Sequence, residues 1–234
     1  MTDQLNRSPD LSTLGAGFSD VAHGSQAVFR SVLQALSHPG RQVAISSDAE
    51  VPPALVASGQ ATSASVLLAL LDAETTVWLS PSLVAGGAGT WLRFHTGCTM
   101  VADAALAQFV WAASLDELPA LTSLNLGTDA SPELAATCVV SVPSLAPATP
   151  APGAAAAECT SWVLEGPGIA QTHTLHVSGL STGERDRFQR LREANHDLFP
   201  RGVDVLLATP THVAGLPRTT RLTPLFGPLP AQGN

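Results

Sequence analysis

Apolar positions along this chain switch between a period near 3.6 and a period of 2, and the switches predict helices and strands in alternation. Val28, Phe29, Val32, Leu33 and Leu36 recur at helical spacing, which predicts a helix over residues 25–36 with Arg30 and Gln34 on its outer side. Ser37-His38-Pro39-Gly40 ends it, because proline disfavours helical geometry at the residue before it and glycine permits a corner. A strand follows over 42–45. Thr62 or Ser63 caps a second helix reaching about Leu71, apolar nearly all round and so predicted to be buried. Further strands are predicted over 76–79, 90–96, 107–112, 137–142, 160–165 and 172–177, with a short helix near 116–121. Residues 181–196 read as a helix with Phe188, Leu191 and Ala194 inward and Glu184, Arg185, Asp186, Arg190 and Arg192 outward. The stretch 199–222 carries a buried strand over 203–207, a break at Thr209-Pro210-Thr211, and a second short strand over 212–215. After Pro217 comes the cluster Arg218-Thr219-Thr220-Arg221. Helices and strands mixed in this way predict a layered α/β domain with a mixed sheet.

Length and composition narrow the class. The 234 residues suffice for one sizeable domain, assigned to 21–225, with a lead-in over 1–20 and a tail over 226–234. Residues 146–157, APATPAPGAAAA, carry no charge and no large side chain, and read as a surface insertion. No apolar run approaches the ~20 residues of a spanning helix, and the N-terminus lacks the basic and apolar regions of a secretory signal. A soluble cytoplasmic protein is expected. The net charge of -8 argues against a nucleic acid or membrane surface as main partner. All 11 basic residues are arginine. A chain without lysine forms no Schiff base to pyridoxal phosphate and no P-loop.

Candidate chemistry concentrates in two places. In 90–96, TWLRFHT, strand alternation puts Trp91, Arg93 and His95 on one face, where Arg93 and His95 can clamp a phosphate or carboxylate, or else satisfy backbone and acidic neighbours at a sheet edge. Arg218, Thr219 and Thr220 supply a guanidinium fork and hydroxyls, against the plainer reading of a solvated loop. Gly179-Leu180-Ser181-Thr182-Gly183 has the spacing of a nucleophile elbow, making a serine hydrolase using Ser181 a remote alternative. Ser181 and Glu184 also form a capping box, which explains the same residues as a helix start. Cys98, Cys138 and Cys159 are widely separated, and His173 and His176 fall on opposite faces of a predicted strand, so no metal site is expected.

Several stretches in order, FRSVLQALSHPG, TTVWLS, WLRFHTGC, LEGPGI, FPRGVDVLL and GLPRTTRL, resemble the PhnH subunit family of the bacterial carbon–phosphorus lyase system, from about Phe29 to about Leu222. The resemblance implies a three-layer α/β/α fold similar to pyridoxal-phosphate transferases without the cofactor. It implies a cytoplasmic subunit of a multi-protein transferase, not catalytic alone. That system joins a phosphonate to the ribose of ATP with release of adenine, giving alpha-D-ribose 1-methylphosphonate 5-triphosphate from methylphosphonate. The implied partners are the sister subunits, with a homodimer when alone and ATP or phosphonate as ligands. The family carries over no catalytic residue. Arg93, His95, Arg218, Thr219 and Thr220 lie inside the matching stretches and stand as the phosphate-binding candidates, against a purely structural or docking role for the subunit.

Overall fold

A computed structural model describes residues 15–145 and 159–225. The predicted insertion, the tail and most of the predicted lead-in lie outside the described residues. Helix α1 (Val21–Ser37) starts at Asp20, whose side chain accepts from the backbone N–H of His23 and so satisfies one of the first-turn donors. It buries Val28, Val32 and Ala35, an i, i+4, i+7 stripe. Phe29 and Leu33, expected on the same face, are 44% and 50% exposed. The chain then forms β1 (Val43–Ala44), α2 (Pro53–Ala57), α3 (Ala61–Leu70), β2 (Thr76–Leu79), α4 (Pro81–Ala85), α5 (Ala88–Thr96), β3 (Thr99–Met100), β4 (Phe109–Ala112) and β5 (Thr137–Ser141). After β6 (Ser144–Leu145) come β7 (Cys159–Glu165), β8 (His173–Ser178), α6 (Thr182–His196), β9 (Asp204–Ala208), β10 (His212–Leu216) and β11 (Arg221–Pro224).

Seven strands make one mixed sheet in the order β1-β10-β9-β5-β4-β2-β3. Strands β3, β2, β4, β5 and β9 run parallel, β10 runs antiparallel to β9, and β1 pairs antiparallel with β10 and so has the direction of the other five. The parallel strands read as nearly continuous apolar runs because both of their faces are covered. On one face Val77, Leu79, Trp111, Val139 and Leu206 pack with residues of α1, α3 and α5. On the other, Val110, Cys138, Val140, Val205 and Leu207 pack with Phe188 of α6 and with Trp162, Leu164, Leu175 and Val177. Those last four belong to a second, antiparallel sheet in the order β11-β7-β8-β6. The expectation of a layered α/β domain with a mixed sheet holds, and the second outer layer combines α6 with this small sheet.

Three predicted elements differ. Residues 90–96 are helical, not extended: α5 is bracketed by Gly87 and Gly97, both in the left-handed region at φ 77° and 74°. Its buried residues Ala88, Trp91 and Leu92 fall at i, i+3 and i+4, a spacing that alternation also partly satisfies over so short a run. Thr62 and Ser63 lie inside α3, buried, and the helix begins at Gln60 without a side-chain cap. Near 116–121 the chain makes turns before one 3-10 turn at Leu121–Ser123.

Candidate functional site

The helical form of 88–96 separates the two residues that were to share a face. Successive helical residues turn by about 100°, so Arg93 and His95 point some 200° apart. His95 lies inward, with Nε2 3.1 Å from the Gly15 carbonyl oxygen and its ring edge-on to both Trp91 and Phe94. A carbonyl oxygen only accepts, so Nε2–H donates. Arg93 points outward, makes no hydrogen bond or ion pair among the described residues, and lines a groove of about 770 Å³. Trp91 and Trp111 are fully buried, whereas Trp78 is half-buried and lines the groove.

The groove follows from how β2 and β3 part. Their ladder pairs only Thr76 with Thr99 and Val77 with Met100, after which residues 101 and 102 diverge from Trp78 and Leu79. The space between is walled by Pro81, Val84 and Ala85 of α4 and by Gly89, Thr90 and Arg93 of α5. Arg93 is its only charged lining residue among the described residues, and Val84 on its wall and Phe94 beside Arg93 are 62% and 59% exposed. Helix α4 is fixed by a carboxylate: Ser82 donates from its backbone N–H and its Oγ to Glu117 Oε2 at 3.3 and 2.8 Å. Burial pushes the Glu117 carboxyl up, but the bonds from Ser80 and Ser82 outweigh it and hold it below the ordinary value. A depressed folded pKa adds stability that is complete above the unfolded value and disappears as pH falls through the folded one. Glu117→Gln is therefore expected to cost about 0.5–1 kcal/mol at pH 7 and nothing at a pH below the folded value, read by urea unfolding at both.

Arg218 is elsewhere. Its Nε and Nη2 donate to Asp204 at 3.3 and 2.8 Å, its backbone N–H donates to Asp204 Oδ1 at 2.8 Å, and Nη1 donates to the Pro132 carbonyl. The fork is thus occupied by an internal carboxylate. Thr220 is buried, and its carbonyl and that of Pro217 accept from Arg192 Nη2 at 3.1 and 2.7 Å. Thr219 is half-buried, its carbonyl passing close to Gly166. Four strand spacings, roughly 19 Å, separate β10 from β2 in the sheet order. Arg93 and Arg218 therefore share no pocket, and no single phosphate meets both.

Two features had no sequence signal. At the carboxyl ends of β4 and β5, where open parallel sheets usually take their ligands, buried Gln60 fills the space. Its Oε1 accepts from Trp111 Nε1 at 3.2 Å and from Ser141 Oγ at 2.6 Å, its Nε2 donates to the Ala113 carbonyl at 3.1 Å, and Ser63 Oγ lies 2.8 Å from Ser141 Oγ. The other is Arg192, expected outward and in fact 1% exposed. Phe188, Arg192 and Asn195 form the i, i+4, i+7 stripe that α6 buries. Ser181 does what a capping box does: it accepts from the Glu184 N–H at 3.2 Å and donates its own N–H to Glu184 Oε2 at 2.8 Å, with no histidine bonded to it among the described residues. Among the described residues no three His, Cys, Asp or Glu side chains gather in a metal-binding group, and no helix is long and apolar enough to cross a membrane.

The mixed sheet, the Gln60 network at the carboxyl ends of β4 and β5 and the apolar groove at the sheet edge define a layered α/β protein. The family model of the bacterial phosphonate metabolism protein PhnH matches residues 16–223, and the chain belongs to this family. It is 35% identical over 205 residues to the alpha-D-ribose 1-methylphosphonate 5-triphosphate synthase subunit PhnH of Rhizobium meliloti, covering 88% of this chain and 93% of that protein. It is 31% identical over 200 residues to HtxG of Stutzerimonas stutzeri, a candidate C-P lyase subunit protein, covering 84% of this chain and 85% of that one.

Proposed function

We propose that this chain is a subunit of the carbon–phosphorus lyase machinery, required for making alpha-D-ribose 1-methylphosphonate 5-triphosphate from ATP and methylphosphonate, and that it acts there by docking. The reading is carried by the correspondence, over nearly the whole of both chains, with a relative named as a subunit of that synthase. Docking is favoured over a share in the chemistry because the phosphate-binding candidates are dispersed and Arg218 is spent on Asp204. A triphosphate requires several converging donors, and the β2–β3 groove offers one guanidinium and the Thr90 hydroxyl. Its occupant in this reading is a sister-subunit segment that brings apolar side chains to Val84, Met100 and Val101 and a carboxylate to Arg93, the one cation on that wall among the described residues. The cytoplasmic setting and the homodimer formed without partners follow from the family resemblance.

The test is reconstitution with the sister subunits, read by size-exclusion light scattering and by adenine release from ATP with methylphosphonate. Val84 is exposed, so Val84→Glu leaves folding intact while burying a carboxylate in the interface, and it is expected to abolish assembly. Arg93→Glu is expected to weaken assembly at least tenfold. Full assembly with both variants would end the docking reading of the groove. Intact assembly without adenine release in Arg93→Glu would instead give Arg93 a part in the exchange itself.

A further inference from the structure

Leu106, Leu134 and Phe199 are large apolar residues left 67%, 60% and 61% exposed, and the sheet brings them to one place. Each precedes a parallel strand: Leu106 comes before β4, Leu134 before β5 and Phe199 before β9, and these strands are consecutive in the sheet order. Phe109 of β4 pairs with Thr137 of β5, and Thr137 with Asp204 of β9. Leu106 and Leu134 therefore stand at the same step, three residues ahead of a paired position, on strands about 4.8 Å apart. Both end a 3-10 turn, Ala104–Leu106 and Pro132–Leu134. The backbone is held at all three: Thr76 Oγ1 donates to the Leu106 carbonyl at 3.1 Å, Asn125 Nδ2 to the Leu134 carbonyl at 2.9 Å, and the Phe199 N–H to the His196 carbonyl at 3.1 Å. The Gly202 N–H, donating to the Leu126 carbonyl at 3.1 Å, ties the Phe199 loop to the segment that carries Leu134. A single exposed leucine is ordinary, but three such side chains on a fixed backbone along one end of a sheet form a patch of the sort by which proteins bind others. None of the three lines the β2–β3 groove.

The charge around this ridge selects the partner. Glu74, two residues before Thr76, and Glu133, inside the turn that ends at Leu134, are exposed, and their carboxylates have no partner among the described residues. Asp72 and Asp103 are exposed as well, and each accepts from one local backbone N–H, that of Glu74 at 3.0 Å and that of Ala105 at 2.9 Å. Arg201 and Arg218 also reach this end, but each already holds a carboxylate, Asp129 at 3.2 Å and Asp204 at 2.8 Å. The ridge is thus apolar along its crest and anionic on its flanks. The same surface on a second copy would set acid against acid in a two-fold contact, and an anionic lipid or a nucleic acid is repelled in the same way. We propose that the amino-terminal ends of β4, β5 and β9 form a docking ridge for a basic amphipathic protein segment, its apolar side chains on Leu106, Leu134 and Phe199 and its lysine or arginine side chains on Glu74 and Glu133. Apolar burial supplies the affinity, and the flanking charge sets orientation and rate of encounter.

The test uses the full chain alone, so its outcome is independent of the groove and of the sister subunits. Fluorescence anisotropy is read with a labelled amphipathic peptide of leucine and lysine, beside a leucine–glutamate peptide and a serine–lysine peptide. The leucine–lysine peptide is expected to bind saturably and at least tenfold more tightly than either control, with an affinity that falls as salt rises. Leu134→Ser combined with Phe199→Ser should keep the melting temperature, both side chains being exposed, and weaken the peptide at least tenfold. Glu74→Gln with Glu133→Gln should weaken it several-fold and flatten the salt dependence. Absence of binding, equal binding of the serine–lysine peptide, or indifference to both double substitutions would overturn the proposal. Loss of binding in Val84→Glu, with the ridge variants unaffected, would move the peptide to the groove and overturn it as well. Light scattering supplies the remaining outcome: a dimer of the parent chain that the Leu134→Ser, Phe199→Ser protein fails to form would give the ridge to a second copy, against the proposal.

Discussion

Arg218→Ala is expected to lower the unfolding free energy by about 2–3 kcal/mol, close to two orders of magnitude in the folded-to-unfolded ratio. The side chains of Arg218 and Asp204 are 13% and 24% exposed, so the pair sits between the surface case and the fully buried case. Removing the guanidinium strips Asp204 of two charged donors and leaves its carboxylate with the Arg218 backbone N–H at 2.8 Å. The Pro132 carbonyl loses its donor too. Arg218→Lys keeps the charge but not the fork that reaches both Asp204 oxygens, and should cost about half as much. Asp204→Ala with Arg218→Ala should cost less than the two single changes added, because the second removes an already unpaired partner. Urea unfolding of these four variants beside the parent protein measures this directly. A ligand-binding arginine behaves differently: its loss spares stability and weakens phosphate binding. Unchanged stability in Arg218→Ala would return this residue to the candidate phosphate ligands.

Such a staple was not readable in the sequence, and the reasons differ from residue to residue. Strands whose both faces are buried announce themselves: 76–79 coincides with β2, and 137–142, 160–165 and 203–207 fall within a residue or two of β5, β7 and β9. The start of α6 was equally legible because the Ser181–Glu184 box is a local device. Over 88–96, however, the apolar spacing suits a helix and a strand alike across nine residues, and only the glycines at 87 and 97 speak for the helix. That one ambiguity carried the site with it, since Arg93 and His95 share a face only if the segment is extended. Arg192 shows another limit. A charged residue among Arg190, Glu193 and Asp197 looks solvated, and its burial depends on the carbonyls of Pro217 and Thr220, 25 and 28 residues further on. Asp204 and Arg218 meet through the β9–β10 hairpin, a pairing that periodicity does not reveal. The groove arises from β3 leaving β2 after two pairs, which depends on ladder length and not on residue type.

Gly215→Ala should be at least as damaging as the loss of Arg218, for a reason of shape alone. Gly215 lies in β10 opposite Leu206, and the last turn of α1 presses directly onto it. A Cβ there would stand 2.5 Å from the Ala35 carbonyl oxygen, 2.7 Å from its carbon and 2.8 Å from the Leu36 nitrogen. All three are backbone atoms, so no rotamer change relieves the contact; either α1 lifts from the sheet or β10 bows away. Lifting α1 withdraws Val28, Val32 and Ala35 from the core they share with α3, and strains the Gly40 N–H bond to the Gly215 carbonyl, 2.9 Å long. Overpacking usually costs about 1–3 kcal/mol, and with a rigid neighbour the upper end or more is expected, about 6–12 °C in melting temperature for a chain of this size. Gly183 provides the contrast. In the first turn of α6 its added Cβ would meet only Ser181 Oγ at 3.9 Å, so Gly183→Ala should be neutral or stabilise by up to about 1 kcal/mol. Thermal unfolding of the pair separates close approach from helix propensity. If Gly215→Ala melts with the parent protein, α1 does not rest on β10 as described, and the layer that covers one face of the sheet is set by other contacts.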